Sequence, residues 1–212
     1  METDFWLRRW RNNEIGFHQR EVNPLLVAHF DDVCLQRGAR VFVPLCGKTL
    51  DIPWLLSRGY RVAGVELSEL AVEQLFEGLG VKPRVSDIGA LKQYSAADID
   101  IFVGDIFELS ADALGPVDAT YDRAALVALP EDMRGHYARH VIEITDRAPQ
   151  FLLTFEYDQS EMDGPPFSVT GAEVSLLYKD TYDVTLATSK DIPGGLKGKC
   201  AATENAWLLT DS

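Results

Sequence analysis

The chain has 212 residues, of which 46% are hydrophobic, and its formal net charge is −13. This length and composition suffice for one substantial hydrophobic core, so we expect residues 1–212 to form a single domain. The negative charge argues against nucleic acid and anionic membranes as partners, because both bind phosphate-neutralising surfaces.

Signals for export, membrane insertion and disulfide formation are missing from the sequence. No apolar run approaches the length of a membrane span, and the polar start lacks the apolar segment of a signal peptide. Cys34, Cys46 and Cys200 are odd in number, widely spaced and without a CxxC pair, which suggests neither a disulfide framework nor a zinc site. We therefore expect a cytoplasmic protein with reduced thiols.

Residues 1–22 form an arm rich in aromatic side chains. Trp6 and Trp10 are four residues apart and share one face if this segment is helical. The arm has two compatible interpretations, a segment pinned to the body by its aromatics or a lid over a ligand. Asn23 and Pro24 then supply an N-cap and a first-turn proline, which predict a helix over 24–36.

Residues 41–68 predict a strand, a loop, a helix and a second strand. The strand 41–43 is rich in β-branched and aromatic residues, and Pro44 should end it. A helix over about 50–57 follows, with Gly59 suited to the left-handed position beyond it. The strand 61–65 then delivers Glu66 at its carboxyl end.

Gly47 and Glu66 have the spacing of a nucleoside site. A glycine between a strand and a helix lets a ligand approach the backbone, and an acid about 20 residues later accepts hydrogen bonds from a ribose. Only Gly47 lies in this loop, so a pyrophosphate is poorly served, and S-adenosylmethionine fits better than a dinucleotide. The alternative is an ordinary turn followed by an acid at a strand end.

The next elements place further polar groups at strand ends. Ser68 caps a predicted helix over 69–77, a short strand is expected near 91–95, and 99–103 is a clear strand. Asp105 and Ile106 follow that strand and are suited to an adenine edge, or else form a simple turn. A strand over 116–121 leads to Asp122 and Arg123.

Arg123 is suited to an anion because its guanidinium offers five donors in a fixed fork. The alternative is a structural ion pair with Asp122 or another acid. The helix that begins after Pro130 carries His136 and His140 four residues apart, but no third ligand is evident, so we expect no metal.

The C-terminal third predicts a strand over 151–157, a stiff Gly164–Phe167 segment, a capped helix over 171–178 and a hairpin of strands 182–188 and 202–210. The Gly164–Phe167 segment contains Pro166 and could form the wall of a pocket. The alternation of strands and helices describes a doubly wound α/β sheet with an antiparallel edge. Gly47, Glu66, Asp105 and Arg123 then map to the carboxyl ends of its central strands.

Several segments together resemble the thiopurine S-methyltransferases. They are WxxxWxxxxxxFHQ (6–19), RVFVPLCGK (40–48), GVELSELAV (64–72), YDRAALVAL (121–129) and GPPF (164–167). The resemblance implies a class I S-adenosylmethionine-dependent methyltransferase, with a mostly parallel seven-stranded sheet and an antiparallel C-terminal hairpin. The chain looks like a short, bacterial-type member, because the longer amino-terminal extension of the mammalian members is missing.

The resemblance also implies roles for individual residues. Asp105 and Ile106 would flank the adenine, Phe17 would face the methyl acceptor, and further cofactor contacts would come from Trp10, Leu45, Glu66 and Arg123. To these we add Trp6 and Gly47 as expected cofactor contacts and Pro166 as an expected contact of the methyl acceptor.

The expected reaction is methyl transfer to a thiopurine or an aromatic or heterocyclic thiol, with selenium and tellurium species as further acceptors. Arg123 would favour the substrate anion and Asp122 would orient it, and no general base is assigned. The partner is a small-molecule thiol or selenol, and the family suggests a monomer. Two alternatives remain, a nicotinamide-dependent oxidoreductase and a non-catalytic S-adenosylmethionine-binding module.

Overall fold

The computed structural model describes residues 3–16 and 18–211, and every named strand in this part of the chain joins one sheet. The order across the sheet is β3-β4-β5-β2-β1-β6-β7-β9-β8. The central strands β5, β2, β1, β6 and β7 run parallel, and the strands at both edges are antiparallel. The strand bounds are β1 Arg40–Pro44, β2 Arg61–Glu66, β3 Arg84–Ile88, β4 Leu91–Ala96, β5 Ile99–Val103, β6 Ala119–Arg123, β7 Gln150–Tyr157, β8 Tyr182–Asp191 and β9 Ala202–Asp211.

The expected seven strands and the C-terminal hairpin are confirmed, and a β3–β4 hairpin extends the sheet to nine. The sequence predicted only a short strand near 91–95, which corresponds to β4. The additional strand β3 has mostly exposed side chains, so the apolar alternation that marks a half-buried strand is weak there. Its register is set by pairing with β4, from Arg84 opposite Ser95 to Ile88 opposite Leu91.

Helices cover both faces of the sheet, and three of the predicted N-caps are present. The side chains of Asn23, Ser68 and Thr170 each accept a backbone N–H of the following helix. The helix bounds are α1 Thr3–Arg11, α2 Pro24–His29, α3 Asp51–Ser57, α4 Glu69–Leu79, α5 Ala111–Leu114, α6 Glu131–Ile144 and α7 Gly171–Tyr178. Short 3₁₀ turns occur at Phe30–Val33, Ile106–Glu108, Leu126–Ala128 and Gln159–Glu161.

The helix predicted over 24–36 is shorter in the structure. It ends at His29. A 3₁₀ turn then directs the chain inward, and Phe30 lies buried against Tyr60, Tyr121 and Phe151. Tertiary packing of one aromatic side chain therefore overrides the local helical pattern. Cys34 then adopts a left-handed φ of 59° and ends the turn.

Alternation along the parallel strands divides the core into two layers. On β1, for example, Phe42 packs in one layer, and Val41 and Val43 pack in the other. The carboxyl ends of β1, β2, β5 and β6 meet at one edge, where Pro44, Glu66, Val103 and Arg123 end their strands. No helix among the described residues is both long and apolar enough to cross a membrane.

Candidate active site

A cavity of about 300 Å³ opens at the carboxyl ends of the central strands. This is the edge at which open α/β sheets bind their ligands, beside the point where the strand order reverses. Nine of the eleven residues singled out from the sequence line it: Trp6, Trp10, Leu45, Gly47, Glu66, Asp105, Ile106, Arg123 and Pro166. Asp122 is not in the lining, and Phe17 lies outside the described residues.

Glu66 ties together the two loops at the centre of this edge. One carboxylate oxygen accepts the backbone N–H of Gly47 at 2.8 Å, and the other accepts the N–H of Ser68 at 2.9 Å. The side chain is only 6% exposed and has no cationic partner among the described residues. Burial raises the pKa of this carboxyl, and the backbone hydrogen bonds act against that rise. Each oxygen keeps a lone pair for a further donor.

The β1–α3 loop is shaped by Gly47 in a way that the sequence did not reveal. Gly47 has a positive φ of 52°, and a Cβ built on it would lie 3.0 Å from the Trp10 ring. The sequence predicted that a ligand approaches the backbone at Gly47. On the side of the missing side chain, the Trp10 ring takes that place. Trp10 is 5% exposed, and the Lys48 ammonium lies 6.0 Å from its ring centroid.

The turn after β5 is held from two sides. Asp105 caps it by accepting the backbone N–H of Phe107 at 3.0 Å, and a ring nitrogen of His140 lies 2.8 Å from the Ile106 carbonyl oxygen. His136 stacks on the Phe107 ring, with the two centroids 4.4 Å apart. The two histidines considered as metal ligands thus support the turn that carries Asp105 and Ile106.

Arg123 lines the cavity with a guanidinium that has no partner among the described residues. Its guanidinium makes no hydrogen bond or ion pair with the part of the chain that the structure describes, and the expected alternative, an ion pair with Asp122, is wrong. Neighbouring side chains on a strand point to opposite faces. Arg123 therefore faces the cavity and Asp122 faces the core below it.

Asp122 is fully buried and does not contact the cavity, so its expected role of orienting the substrate lacks a contact. Its carboxylate accepts the Tyr137 hydroxyl at 2.7 Å and the Leu126 backbone N–H at 3.2 Å. These bonds fix the chain just after Arg123. Burial raises the pKa of Asp122 to about 6, and the hydrogen bonds from Tyr137 and the backbone act against that rise.

The far wall of the cavity includes Pro165 and Pro166. The Pro166 carbonyl accepts the Tyr157 hydroxyl at 2.7 Å, and the Phe167 N–H donates to the Val127 carbonyl at 2.7 Å. The expected pocket wall is thus anchored at several points. Apolar side chains complete this side, among them Val127, Ala128, Leu129, Met133, Phe155 and Leu196.

Sequence reasoning missed a group of basic residues at the cavity. Lys48 donates to the neutral Gln74 at 2.8 Å, Lys197 donates to the Pro165 carbonyl at 2.7 Å, and Arg9 donates to a backbone carbonyl at 3.2 Å. Burial and the nearby Arg9 lower the pKa of Lys197. His18 also lines the cavity. His18 and Lys48 lie inside the motifs quoted above, but nothing in the sequence places Lys197 near them.

Comparison with known proteins identifies the family. The sequence model of thiopurine S-methyltransferase (TPMT) matches residues 1–210. The chain belongs to the thiopurine S-methyltransferase family. It is 57% identical over 210 residues to the thiopurine S-methyltransferase of Xanthobacter autotrophicus, covering 99% of each chain. It is 52% identical over 210 residues to that of Teredinibacter turnerae, covering 99% of this chain and 98% of the relative.

Solved structures agree on the fold. The 1,6-didemethyltoxoflavin-N1-methyltransferase of Burkholderia thailandensis, determined with S-adenosylhomocysteine bound, aligns with a TM-score of 0.67 at 17% identity, covering 99% of this chain and 87% of that one. Family and fold together make this protein an S-adenosylmethionine-dependent methyltransferase. They give no support to the nicotinamide-dependent alternative.

The cavity of this thiopurine S-methyltransferase family member suits its cofactor. A buried carboxylate without a cationic partner, such as Glu66, needs further donors, and ribose hydroxyls supply them. The Arg123 guanidinium, which has no partner in the described part of the chain, likewise suits a carboxylate such as that of the methionine moiety.

The buried Asp122 yields a prediction about stability and pH. Its pKa is raised in the folded state, so the folded protein holds a proton that the unfolded chain releases near its ordinary pKa, about 3.9. Stability is therefore lost as the pH rises through about 6. The neutral variant Asp122→Asn lacks this loss. Between about pH 5 and pH 7.5, its stability relative to the wild type should rise by about 1 kcal/mol.

Urea denaturation at several pH values measures this difference. Asp158→Asn is the control, because Asp158 is exposed and its pKa is lowered by hydrogen bonds from Ser160. A stability difference for Asp122→Asn that does not change with pH would contradict the burial argument.

Proposed function

We propose that this protein transfers the methyl group of S-adenosylmethionine to the sulfur of aromatic and heterocyclic thiols, thiopurines among them. One observation carries the proposal. The carboxylate of Glu66 has no cationic partner among the described residues, and the guanidinium of Arg123 makes no hydrogen bond or ion pair with them; both line a single cavity that also has an apolar wall. Such a cavity offers hydrogen-bond acceptors to a ribose, hydrogen-bond donors to an anion and an apolar surface to an aromatic ring.

The cofactor would be held by groups from four strand ends and the arm. Glu66 would accept the ribose hydroxyls, and the Asp105–Ile106 turn would flank the adenine. The β1–α3 loop would add contacts from Leu45 and Gly47. Trp6 and Trp10 would cover the cofactor from the amino-terminal arm.

The acceptor would lie against the apolar wall that includes Pro166, and its contact with Phe17, which lies outside the described residues, stays a prediction from the sequence. A thiopurine or an aromatic thiol has a flat, apolar ring, which Met133, Phe155 and the proline segment can bury. These side chains also exclude water from the reacting sulfur. An oriented acceptor close to the methyl group gains a large rate advantage from proximity alone.

When bound, S-adenosylmethionine supplies an electrophilic methyl group on a sulfonium. The attack of a thiolate on this group cancels a positive and a negative charge, and a desolvated site favours such cancellation. Arg123, whose donors would bind the carboxylate of the cofactor, would also stabilise the thiolate before the attack through its positive charge. The Trp10 ring adds cation–π attraction to a sulfonium nearby.

The acceptor class also bears on partners. The net charge of −13 supports a small-molecule acceptor rather than a nucleic acid. A monomer in the cytoplasm remains our prediction for the assembly and location of the protein.

A labelled-methyl assay tests the proposed function. We expect the purified protein to transfer label to thiopurines and aromatic thiols and not to the matching hydroxyl compounds, because only the thiols ionise near neutral pH. Selenite and tellurite form separate arms of the assay. Binding of the cofactor without transfer to any sulfur acceptor would contradict the proposal and support the non-catalytic module.

Glu66→Gln tests the ribose assignment. The variant keeps the size of the side chain but loses the charge and one acceptor oxygen, so the dissociation constant for S-adenosylhomocysteine should rise on the order of 10²-fold. Calorimetry measures this constant, and thermal melting checks the fold. The matched control is Glu69→Gln, three residues further on, where the acid pairs with Lys92 at the surface. Equal affinity in both variants would reject the assignment.

A further inference from the structure

His18 is a titratable residue of the cavity that takes no part in the contacts described for the cofactor. It lies in the segment between α1 and α2 and is half-buried in the same lining as Lys48 and Arg123. Its ring makes no hydrogen bond or ion pair with residues 3–16 or 18–211, although its backbone N–H donates to the Ile15 carbonyl at 2.8 Å. The imidazole is thus positioned by its backbone, and both of its nitrogens lack a partner among the described residues.

The charged groups around His18 decide its protonation. Burial lowers the pKa of His18 most, and the positive charges of Lys48 and then Arg123 lower it further. Asp51 acts in the opposite direction, but more weakly. Because the pKa falls below the usual value of about 6.5, the ring is neutral near pH 7 and can accept a proton.

The carboxylates of the cavity are less suited to that task. Asp51 accepts the Asn23 N–H at 2.8 Å and the Tyr121 hydroxyl at 3.0 Å, and it is almost completely buried. Glu66 holds two backbone amides, and Asp105 caps its own turn. Cys46 also lines the cavity, but burial raises the pKa of its thiol well above the usual range, so the thiol stays protonated near pH 7. The His18 ring is neutral and makes no hydrogen bond with the described residues, so it can accept a proton.

We propose that His18 is the general base that accepts the proton of the acceptor thiol. The step rests on the proposed function. The S–H bond breaks, its proton forms an N–H bond on a free imidazole nitrogen, and its electron pair stays on sulfur as a thiolate beside Arg123. The thiolate pair then forms the new sulfur–carbon bond, and the breaking sulfonium–carbon bond leaves its pair on the departing thioether. The imidazolium later returns its proton to water.

The value of this base depends on the acceptor. A thiol whose pKa lies below neutral is already ionised, whereas an ordinary thiol, with a pKa of about 8.5, is mostly protonated at pH 7. General base catalysis therefore matters more as the pKa of the thiol rises.

The test compares His18→Gln with His29→Gln across aromatic and benzylic thiols whose pKa values span about 6 to 9. His29 is the matched control because it lies on α2, outside the cavity lining, and pairs with Asp32. We expect kcat/KM of His18→Gln to match the wild type for the most acidic thiol and to fall on the order of 10²-fold for the least acidic one. A loss that is equal for all thiols, or no loss, would overturn the proposal.

The pH profile gives a second signature. With a thiol of high pKa, kcat/KM of the wild type should level off above the pKa of His18. In His18→Gln it should keep rising about tenfold per pH unit until the thiol itself ionises. Identical profiles would overturn the assignment.

The protonation of His18 can also be measured by NMR without turnover. We expect the histidine C2–H resonance that disappears in His18→Gln to move to the imidazolium position when an aromatic thiol is added at neutral pH to enzyme holding S-adenosylhomocysteine. The methyl thioether of the same ring should leave it unmoved. An unmoved resonance with the bound thiol would contradict proton transfer to His18.

Failure of this inference is distinguishable from failure of the proposed function. If the wild-type protein methylates thiols but His18→Gln shows no dependence on thiol pKa, only the base is wrong. If the wild type methylates no sulfur acceptor, the proposed function itself is wrong.

Discussion

The site depends on the buried carboxylate of Glu66. By accepting one backbone N–H from the loop after β1 and another from the loop after β2, it fixes the spacing of the two central strand ends. An acid can remain in such a place only if its lost solvation is replaced by hydrogen bonds. The two amides provide part of that replacement, and the hydroxyls of a ribose would provide the rest.

The cavity is positively charged although the chain as a whole is acidic. The chain as a whole is strongly acidic, yet Arg9, Lys48, Arg123 and Lys197 line one cavity, and none forms a salt bridge within the described residues. Positive charge concentrated in a concave site attracts anions even when the surrounding surface is negative. It also favours a neutral His18 and an ionised thiol, so the same cations favour both the base that accepts the proton and the thiolate that remains.

Much of this site could be predicted because its central residues lie at strand ends within short strand–loop–helix units. Local periodicity and the rule that parallel strands end at one edge were sufficient to predict that the site contains Gly47, Glu66, Asp105 and Arg123. Asp122 was misjudged although the period of a strand already places it opposite Arg123. Contacts between distant segments, such as Lys197 with Pro165 or Tyr121 with Asp51, have no local signal, because they arise only from tertiary packing.

The most direct test of the account is a crystal structure of the protein with S-adenosylhomocysteine. We expect both ribose hydroxyls within hydrogen-bonding distance of the Glu66 carboxylate and the adenine beside the turn of Asp105 and Ile106. A ligand bound at another edge of the sheet, or a Glu66 carboxylate without contact to the ribose, would contradict the central claim.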